Sequence, residues 1–133
     1  MEKNNKSDSL KVNSIYIVNN KDEISRVDSI FLDNYGSIYT TGTVYADVYN
    51  DKEETLDTNI YGYIIKLNKN GTLDTTFGNN GKIIINNITN KINNTKLTAE
   101  SIYVDKKGYV YTTGSIFDKF DKAKSKAYVI KLK

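Results

Sequence analysis

A phrase of fifteen residues occurs twice in this chain and constrains its fold more than any other feature. Residues 28–42 read DSIFLDNYGSIYTTG, and residues 100–114 read ESIYVDKKGYVYTTG. A shorter phrase, YIIKL at 63–67, returns as YVIKL at 128–132. Such repetition is typical of architectures in which each unit is one supersecondary element that buries its apolar surface by stacking on a neighbour. The chain is therefore predicted to contain two copies of one structural unit.

Runs of β-branched and aromatic residues, bounded by Gly, Asn, Asp or Lys clusters, predict β-strands along the chain. The composition agrees, because 133 residues include 11 Tyr and no Pro, which favours strands over disorder. We predict an all-β fold with eight strands, four in each repeat. The predicted strands are 14–18, 28–33, 37–44, 61–67, 82–86, 99–104, 109–115 and 127–132.

The repeats divide the chain into four parts. Residues 1–13 are polar and predict a flexible leader, because they offer little apolar surface to bury. Residues 14–67 form the first repeat, and residues 82–133 form the second. Residues 68–81 connect them and are expected to form turns, since Asn-Gly pairs lie near both ends of the segment.

The predicted strands carry apolar side chains on both faces. In the first repeat Ile30 and Leu32 alternate with Phe31, and in a later strand Tyr63 and Ile65 alternate with Ile64. Successive side chains of a strand point to opposite faces, so neither face is polar throughout. This pattern predicts sheets that are covered on both sides, as when sheets stack face to face.

Two tight hairpin turns are predicted at equivalent places in the repeats. In the first, Asp33 precedes Gly36, and in the second, Asp105 precedes Gly108. An Asp side chain accepts hydrogen bonds from the backbone of a turn, and Gly adopts positive φ without strain. We therefore predict a structural role for all four residues rather than a catalytic or metal-binding one.

Residues 63–83, YIIKLNKNGTLDTTFGNNGKI, resemble the delta-60 repeat family. The family's signature runs lysine-leucine, a short Asn/Gly turn, leucine-aspartate, two residues, phenylalanine-glycine and a further glycine before an apolar strand. The resemblance implies four-stranded antiparallel β-propeller blades, which occur in long arrays in bacterial proteins, often exported ones. It also implies that Asp74, Phe77 and Gly78 are structural residues of the signature turn.

Only about two blades fit into this chain, whereas a propeller closes with four to eight. Three interpretations follow, namely a piece of a longer array with further repeats, a subunit that completes a ring as a homo-oligomer, or two stacked sheets with capped ends. The expected fold class is therefore all-β, with two four-stranded antiparallel propeller-type blades forming either a partial propeller or a two-sheet stack.

The composition excludes several kinds of site. His and Cys are absent, which removes the common zinc sites and the Ser-His and Cys-His nucleophile pairs. Arg26 is the single arginine, so the sequence is poorly equipped for nucleic-acid recognition. No stretch approaches the roughly 18 apolar residues of a membrane span. We predict no catalytic residues, metal, cofactor, nucleic-acid partner or membrane span, and the sequence leaves the compartment open.

The second halves of the repeats differ in one loop. Between Gly42 and Tyr63 lies a long acidic and aromatic segment, while its counterpart at 118–126 is shorter and basic. Loops on a rigid scaffold are where binding residues usually lie. The opposite charges also predict attraction between copies of the chain in a head-to-tail contact. The candidate ligand-binding residues of the long loop are Tyr45, Tyr49, Asp51, Glu53, Glu54 and Tyr61.

These observations predict a non-catalytic repeat module that acts as a structural or interaction scaffold and binds a protein or glycan through a loop face. Two alternatives stay open. The chain could be a fragment of a β-propeller enzyme, a hydrolase or lyase that works through carboxylates. It could also be a carbohydrate-binding module in which the tyrosines of the long loop stack on sugar rings.

Overall fold

A computed structural model describes residues 10–12, 14–88, 95–118 and 120–133. The predicted leader falls mostly outside the described residues, as does Lys119 of the basic loop. Within these residues, two single turns of 3-10 helix, Ile85–Asn87 and Lys122–Lys124, accompany the strands. The strands are β1 (Glu23–Leu32), β2 (Ile38–Asn50), β3 (Thr55–Leu67), β4 (Lys82–Ile84), β5 (Lys96–Leu97), β6 (Ser101–Val104), β7 (Val110–Phe117) and β8 (Lys126–Leu132).

The strands form two antiparallel sheets of four strands each. The first sheet is a simple meander in the order β1-β2-β3-β4. In the second, β7 is central, with β5 and β6 along one edge and β8 along the other. The expected all-β class and the four strands per sheet are confirmed.

Two predicted strands differ from the observed ones. The segment at 14–18 forms no strand; of its apolar residues Val18 packs on the first sheet, while Ile15 and Ile17 are exposed. The strand that begins at Lys82 pairs with β3 and so belongs to the first sheet, although the division by repeat placed it in the second. The tight turn that ends at Gly81 reverses the chain and returns it along β3.

The long loop predicted between Gly42 and Tyr63 is mostly paired. Strands β2 and β3 continue in unbroken register as far as Asn50 and Thr55, and only the residues between them form a turn. No Gly or Pro interrupts residues 43–61, so nothing in the sequence stops the ladder. Beyond the last β1 partner, Ala46, β2 and β3 form a two-stranded ribbon, which we call the ribbon.

The two hairpin turns are built alike. The Asp33 carboxylate accepts the backbone N–H groups of Tyr35 and Ser37, each at 2.9 Å. Asp105 does the same for Lys107 and Tyr109, at 2.9 and 3.0 Å. Gly36 and Gly108 have φ of 84° and 88°, in the left-handed region. The repeated Asp and Gly thus close the same turn twice.

The first strand of each unit shifts register by one residue at a bulge. In β1 the shift lies between Val27 and Ser29. In the second sheet the shift lies between β5 and β6. A tyrosine hydroxyl that reaches across the intervening strand holds each irregular segment: Tyr63 of β3 donates to the Arg26 carbonyl at 3.1 Å, and Tyr128 of β8 donates to the Thr98 carbonyl at 2.6 Å.

The repeated Thr-Thr-Gly triplet fits around this bulge. In the first copy, Thr40 donates to the Ser29 carbonyl at 2.9 Å and Thr41 to the Tyr63 carbonyl at 2.7 Å. The equivalent hydroxyls of the second copy bond the equivalent carbonyls. At Gly42 a Cβ would clash with the bulged Arg26 carbonyl and lie 2.7 Å from the Tyr63 hydroxyl oxygen. The bulge in the first strand therefore requires the Thr-Thr-Gly triplet on the strand that pairs with it.

Replacing Gly42 by Ala is expected to lower the free energy of unfolding by about 2 to 3 kcal/mol, because the added methyl group must displace the bulge and its tyrosine. Gly108→Ala is the matched control: a Cβ added at Gly108 would have no heavy atom within 4 Å, so only backbone strain of about 1 kcal/mol remains. Urea unfolding of both variants measures the difference, and equal losses would contradict the proposed role of the bulge.

The two sheets stack so that unlike faces meet. We call the face with Tyr63 and Ile65 the front of the first sheet, and the face with Ile64 its back. The equivalent front of the second sheet carries Tyr128 and Ile130. The back of the first sheet packs on the front of the second, around one shared core. The buried core residues are Tyr39, Ile64, Ile85, Leu97, Ala99, Ile102, Val104 and Val110.

One buried polar contact fixes the relative position of the sheets. The Thr43 hydroxyl of β2 accepts the backbone N–H of Ala99 at 3.2 Å. Ala99 lies where the bulge interrupts the second sheet's edge strand, so its N–H faces the other sheet instead of a ladder partner. A buried N–H without an acceptor would cost about 1 to 3 kcal/mol, which disfavours sliding of one sheet over the other.

The bulge tyrosines predict sensitivity to alkaline pH. Burial raises the pKa of Tyr63 from 10.0 to about 12 and also raises the pKa of Tyr128. Above pH 10 the unfolded chain loses these protons while the folded chain keeps them, so unfolding becomes more favourable. The stability that these two tyrosines contribute should be fully present below about pH 10, and the free energy of unfolding should fall as the pH approaches 12. Urea unfolding across this range tests the prediction; Tyr63→Phe should flatten the pH dependence, and an unchanged slope would contradict it.

In the described ranges, no helix has the length and apolar character needed to cross a lipid bilayer.

Candidate functional site

A cleft of about 850 Å³ lies between the sheets at the end where the ribbon projects. Its wall on the first sheet comes from β3 and the 3-10 turn after β4, and its opposite wall comes from Lys96 and the end of β7. Side-chain amides and aromatic rings are prominent in this lining. The amides are Asn20, Asn59, Asn86 and Asn87, and the rings are Tyr61, Phe117 and Phe120.

Asn86 anchors the floor of the cleft. Its side-chain oxygen accepts the Gly62 N–H at 3.1 Å, and its amide nitrogen donates to the carbonyls of Ile60 and Thr95 at 3.1 and 2.6 Å. The antiparallel pairing of β4 with β3, continued by the 3-10 turn Ile85–Asn87, brings Asn86 beside Gly62. One side chain thus joins β3 to the segment that enters the second sheet.

Charged and phenolic groups flank the cleft. Asp57 of the ribbon and Lys96 of β5 form an ion pair with 2.7 Å between Oδ1 and Nζ. The Tyr61 hydroxyl donates to the Glu23 carboxylate at 2.8 Å, and burial together with this carboxylate raises the pKa of Tyr61 well above its ordinary value. Tyr61 is therefore a neutral hydrogen-bond donor at physiological pH, and its ring is held in place.

The structure separates the tyrosines that sequence analysis grouped together. Tyr45 pairs with Ile60 and Tyr49 pairs with Leu56, so both tyrosines lie on one face of the ribbon. Tyr61 lies on the opposite face, because it directly follows Ile60 in the same strand. Of the candidate ligand-binding residues, Tyr61 alone lines the cleft among the described residues.

The three acidic candidates lie at the tip of the ribbon. Asp51, Glu53 and Glu54 are exposed in the turn between β2 and β3. The Asn50 side chain organises this turn by accepting the N–H groups of Lys52 and Glu53, at 3.0 and 3.2 Å. The tip is therefore an ordered negative surface that stands away from the cleft.

The signature turn lies at the opposite end of the sheets. Asp74 accepts a hydrogen bond from the Thr76 N–H at 3.0 Å and pairs with Lys66 at 3.2 Å. Hydrogen bonds from Thr76 and the ion pair with Lys66 lower the pKa of Asp74. The Phe77 ring meets the edge of Tyr39, with 5.9 Å between centroids, beside the core shared by both sheets. Gly78 has φ of 55° in this turn.

Sequence reasoning missed most of the cleft. Asn59, Asn86 and Phe117 were not singled out, since 17 asparagines in the chain make any one of them inconspicuous. Phe117 ends β7, where a strand pattern gives no sign of the surface that it borders. The signal that could have found Asn86 is its place immediately after the apolar run 83–85, where a predicted strand ends and polar side chains can reach the backbone of its neighbour.

Metal-ligating groups do not converge in the part of the chain that the structure describes. No cluster of three or more Asp or Glu side chains there could hold a metal ion. No family model, curated protein or solved structure matches the chain.

Removing the Asn86 side chain tests its role in the cleft. Asn86→Ala leaves the Gly62 N–H and two carbonyls without this partner, and we expect a loss of about 2 to 3 kcal/mol in the free energy of unfolding. Asn87→Ala, at the exposed neighbouring position, is the control and should change stability by less than about 0.5 kcal/mol. Thermal and urea unfolding measure both. Equal losses of stability in the two variants would contradict this role of Asn86.

Proposed function

We propose that this chain is a non-catalytic repeat module of the propeller-blade type, which serves as a scaffold and binds a protein or glycan through its loop face. The loop face consists of the ribbon and the cleft beside it. The observation that carries the proposal is the ribbon itself, a projecting two-stranded element with exposed aromatic, apolar and acidic side chains on a rigid two-sheet base.

The ribbon exposes side chains that a stability requirement does not explain. Val48, Tyr49 and Leu56 are all exposed, and Tyr49 and Leu56 are directly opposed across the two strands. An isolated two-stranded ribbon is marginally stable in water, so its apolar surface adds stability when a partner covers it. Tyr is also a residue that contributes strongly to binding, because its rigid ring buries much area at low entropic cost.

The cleft supports a glycan as the ligand class to test first. Sugars present apolar ring faces that stack on aromatic side chains and hydroxyls that pair with amides and carboxylates. The cleft combines these two kinds of group in Phe117, Tyr61 and its asparagines. The acidic tip at Asp51, Glu53 and Glu54 instead suits a cationic peptide.

The alternative of a carboxylate-based hydrolase or lyase fragment would use Asp57 and Asp118, which both line the cleft. Asp57 is engaged with Lys96 at 2.7 Å, an arrangement that joins the ribbon to the second sheet. This structural use of the carboxylate favours the binding module over the enzyme.

Binding to a panel of immobilised glycans and to an oligolysine peptide tests the proposed function. We expect at least one probe to bind with a Kd below about 1 mM. Phe117→Ala should weaken glycan binding in the cleft, and Tyr49→Ala should weaken peptide binding at the ribbon, each at least about tenfold, which corresponds to about 1.4 kcal/mol. Tyr35→Ala is the control, because Tyr35 is also an exposed tyrosine but lies in a hairpin turn at the other end of the sheets. Absence of binding to every probe would contradict the proposal, and so would an equal loss of probe binding in the Tyr35→Ala control.

A further inference from the structure

The contact between the two sheets uses only one face of each. The back of the first sheet meets the front of the second, so a front and a back remain on the outside of the stack. Strands β1, β2 and β3 recur as β5 with β6, β7 and β8, so the outer faces of these strands repeat faces that already fit together, whereas β4 has no counterpart in the second sheet. Their residues can therefore be compared position by position with the buried ones.

The outer front face keeps the apolar residues of the buried contact. Ile30 and Leu32 occupy the positions of Ile102 and Val104 in the repeated phrase. Ile102 and Val104 are 6% and 5% exposed in the contact, whereas Ile30 and Leu32 are 63% and 61% exposed. The same positions are thus buried in one sheet and open in the other.

The outer back face shows the same relation. Ile64 is 0% exposed where it meets the second sheet, and its equivalent Val129 is 79% exposed. Tyr103, the equivalent of the half-buried Phe31, is more than half exposed, although one edge of the strand brings its ring to 5.1 Å from the Phe31 ring of the first sheet. Each outer face therefore keeps apolar residues at positions that the other sheet buries.

Part of the outer front face is covered by the chain itself. Val18 packs against the buried cluster of Val44, Tyr63 and Ile65 on β2 and β3. This cover leaves β1 open, where Ile30 and Leu32 lie. The open part of the front face is the part whose equivalent in the second sheet is most fully buried.

The loops at the ribbon end add complementary charge. The acidic tip of the ribbon belongs to the first unit, and the second unit carries exposed Lys124 and Lys126 at the corresponding end. If a second copy stacks with the geometry of the internal contact, its acidic tip comes beside these lysines. Opposite charges at this rim favour the correct orientation of encounter.

We propose that copies of this chain associate head to tail, with the open front face of one first sheet packed on the back face of another copy's second sheet. The contact repeats the internal one, with Ile30 and Leu32 in the roles of Ile102 and Val104, and with Val129 in the role of Ile64. Such a contact is heterologous, so it either closes into a ring or continues as a filament. It goes beyond the proposed function, since it uses the sheet faces and leaves the loop face free.

Variants that block one face each test the proposal. The front variant carries Ile30→Lys with Leu32→Lys, and the back variant carries Val129→Lys; all three side chains are exposed, so folding should be unaffected. Light scattering on a size-exclusion column should show the native chain exceeding its 15.1 kDa mass as concentration rises. Each variant alone should stay monomeric, with association weakened at least about tenfold. A mixture of equal parts should form a heterodimer and nothing larger.

The control is Leu56→Ser, which changes an exposed apolar residue of the ribbon without changing the charge of its tip and should associate like the native chain. A native chain that stays monomeric up to about 1 mM would overturn the proposal. So would loss of association in the front variant alone, which would indicate a symmetric front-to-front dimer, or failure of the mixed variants to associate. Probe binding at the loop face should be equal in the front and back variants, so the two proposals fail independently.

Discussion

A single hydrogen bond, repeated in each unit, supports much of this structure. The Tyr63 hydroxyl reaches across the sheet to the Arg26 carbonyl, and Tyr128 does the same for Thr98. Each bond holds a one-residue bulge, and the bulge reverses which side chains of the first strand face the neighbouring sheet. Because a one-residue shift exchanges the two faces of a strand, this bond decides which apolar side chains reach the core.

The bulge also explains how the sheets find one relative position. In the second unit it frees the Ala99 N–H from the ladder, and Thr43 of the first sheet accepts it. Apolar contacts are non-directional and would tolerate sliding, whereas a buried hydrogen bond does not. The stack also has a direction, because the back of the first sheet packs on the front of the second. The two outer faces then remain complementary, and this is the physical basis of the proposed head-to-tail contact.

The sequence predicted a considerable part of the fold, because its signals are local. Asp33 and Gly36, and their copies Asp105 and Gly108, specify turns within a few residues of themselves. The cleft could not be predicted in this way. Its walls come from the ribbon, the turn at Asn86 and the end of β7, which are distant in the chain, and the polar residues of the ribbon were predicted to form a loop. The grouping of Tyr61 with Tyr45 and Tyr49 failed to anticipate strand parity, which separates them once β2 and β3 pair.

By itself, the sequence determined the β class, the repeated unit and the chemistry of its turns, since strand propensity, Asp capping and glycine φ act over short distances. Only the tertiary structure decided which faces meet, which strand joins which sheet and where a cleft opens. Those outcomes depend on contacts between residues far apart, such as Thr43 with Ala99 and Asn86 with Gly62. Apolar residues on both faces of a strand are compatible with several ways of stacking, and buried hydrogen bonds formed across the core select one of them.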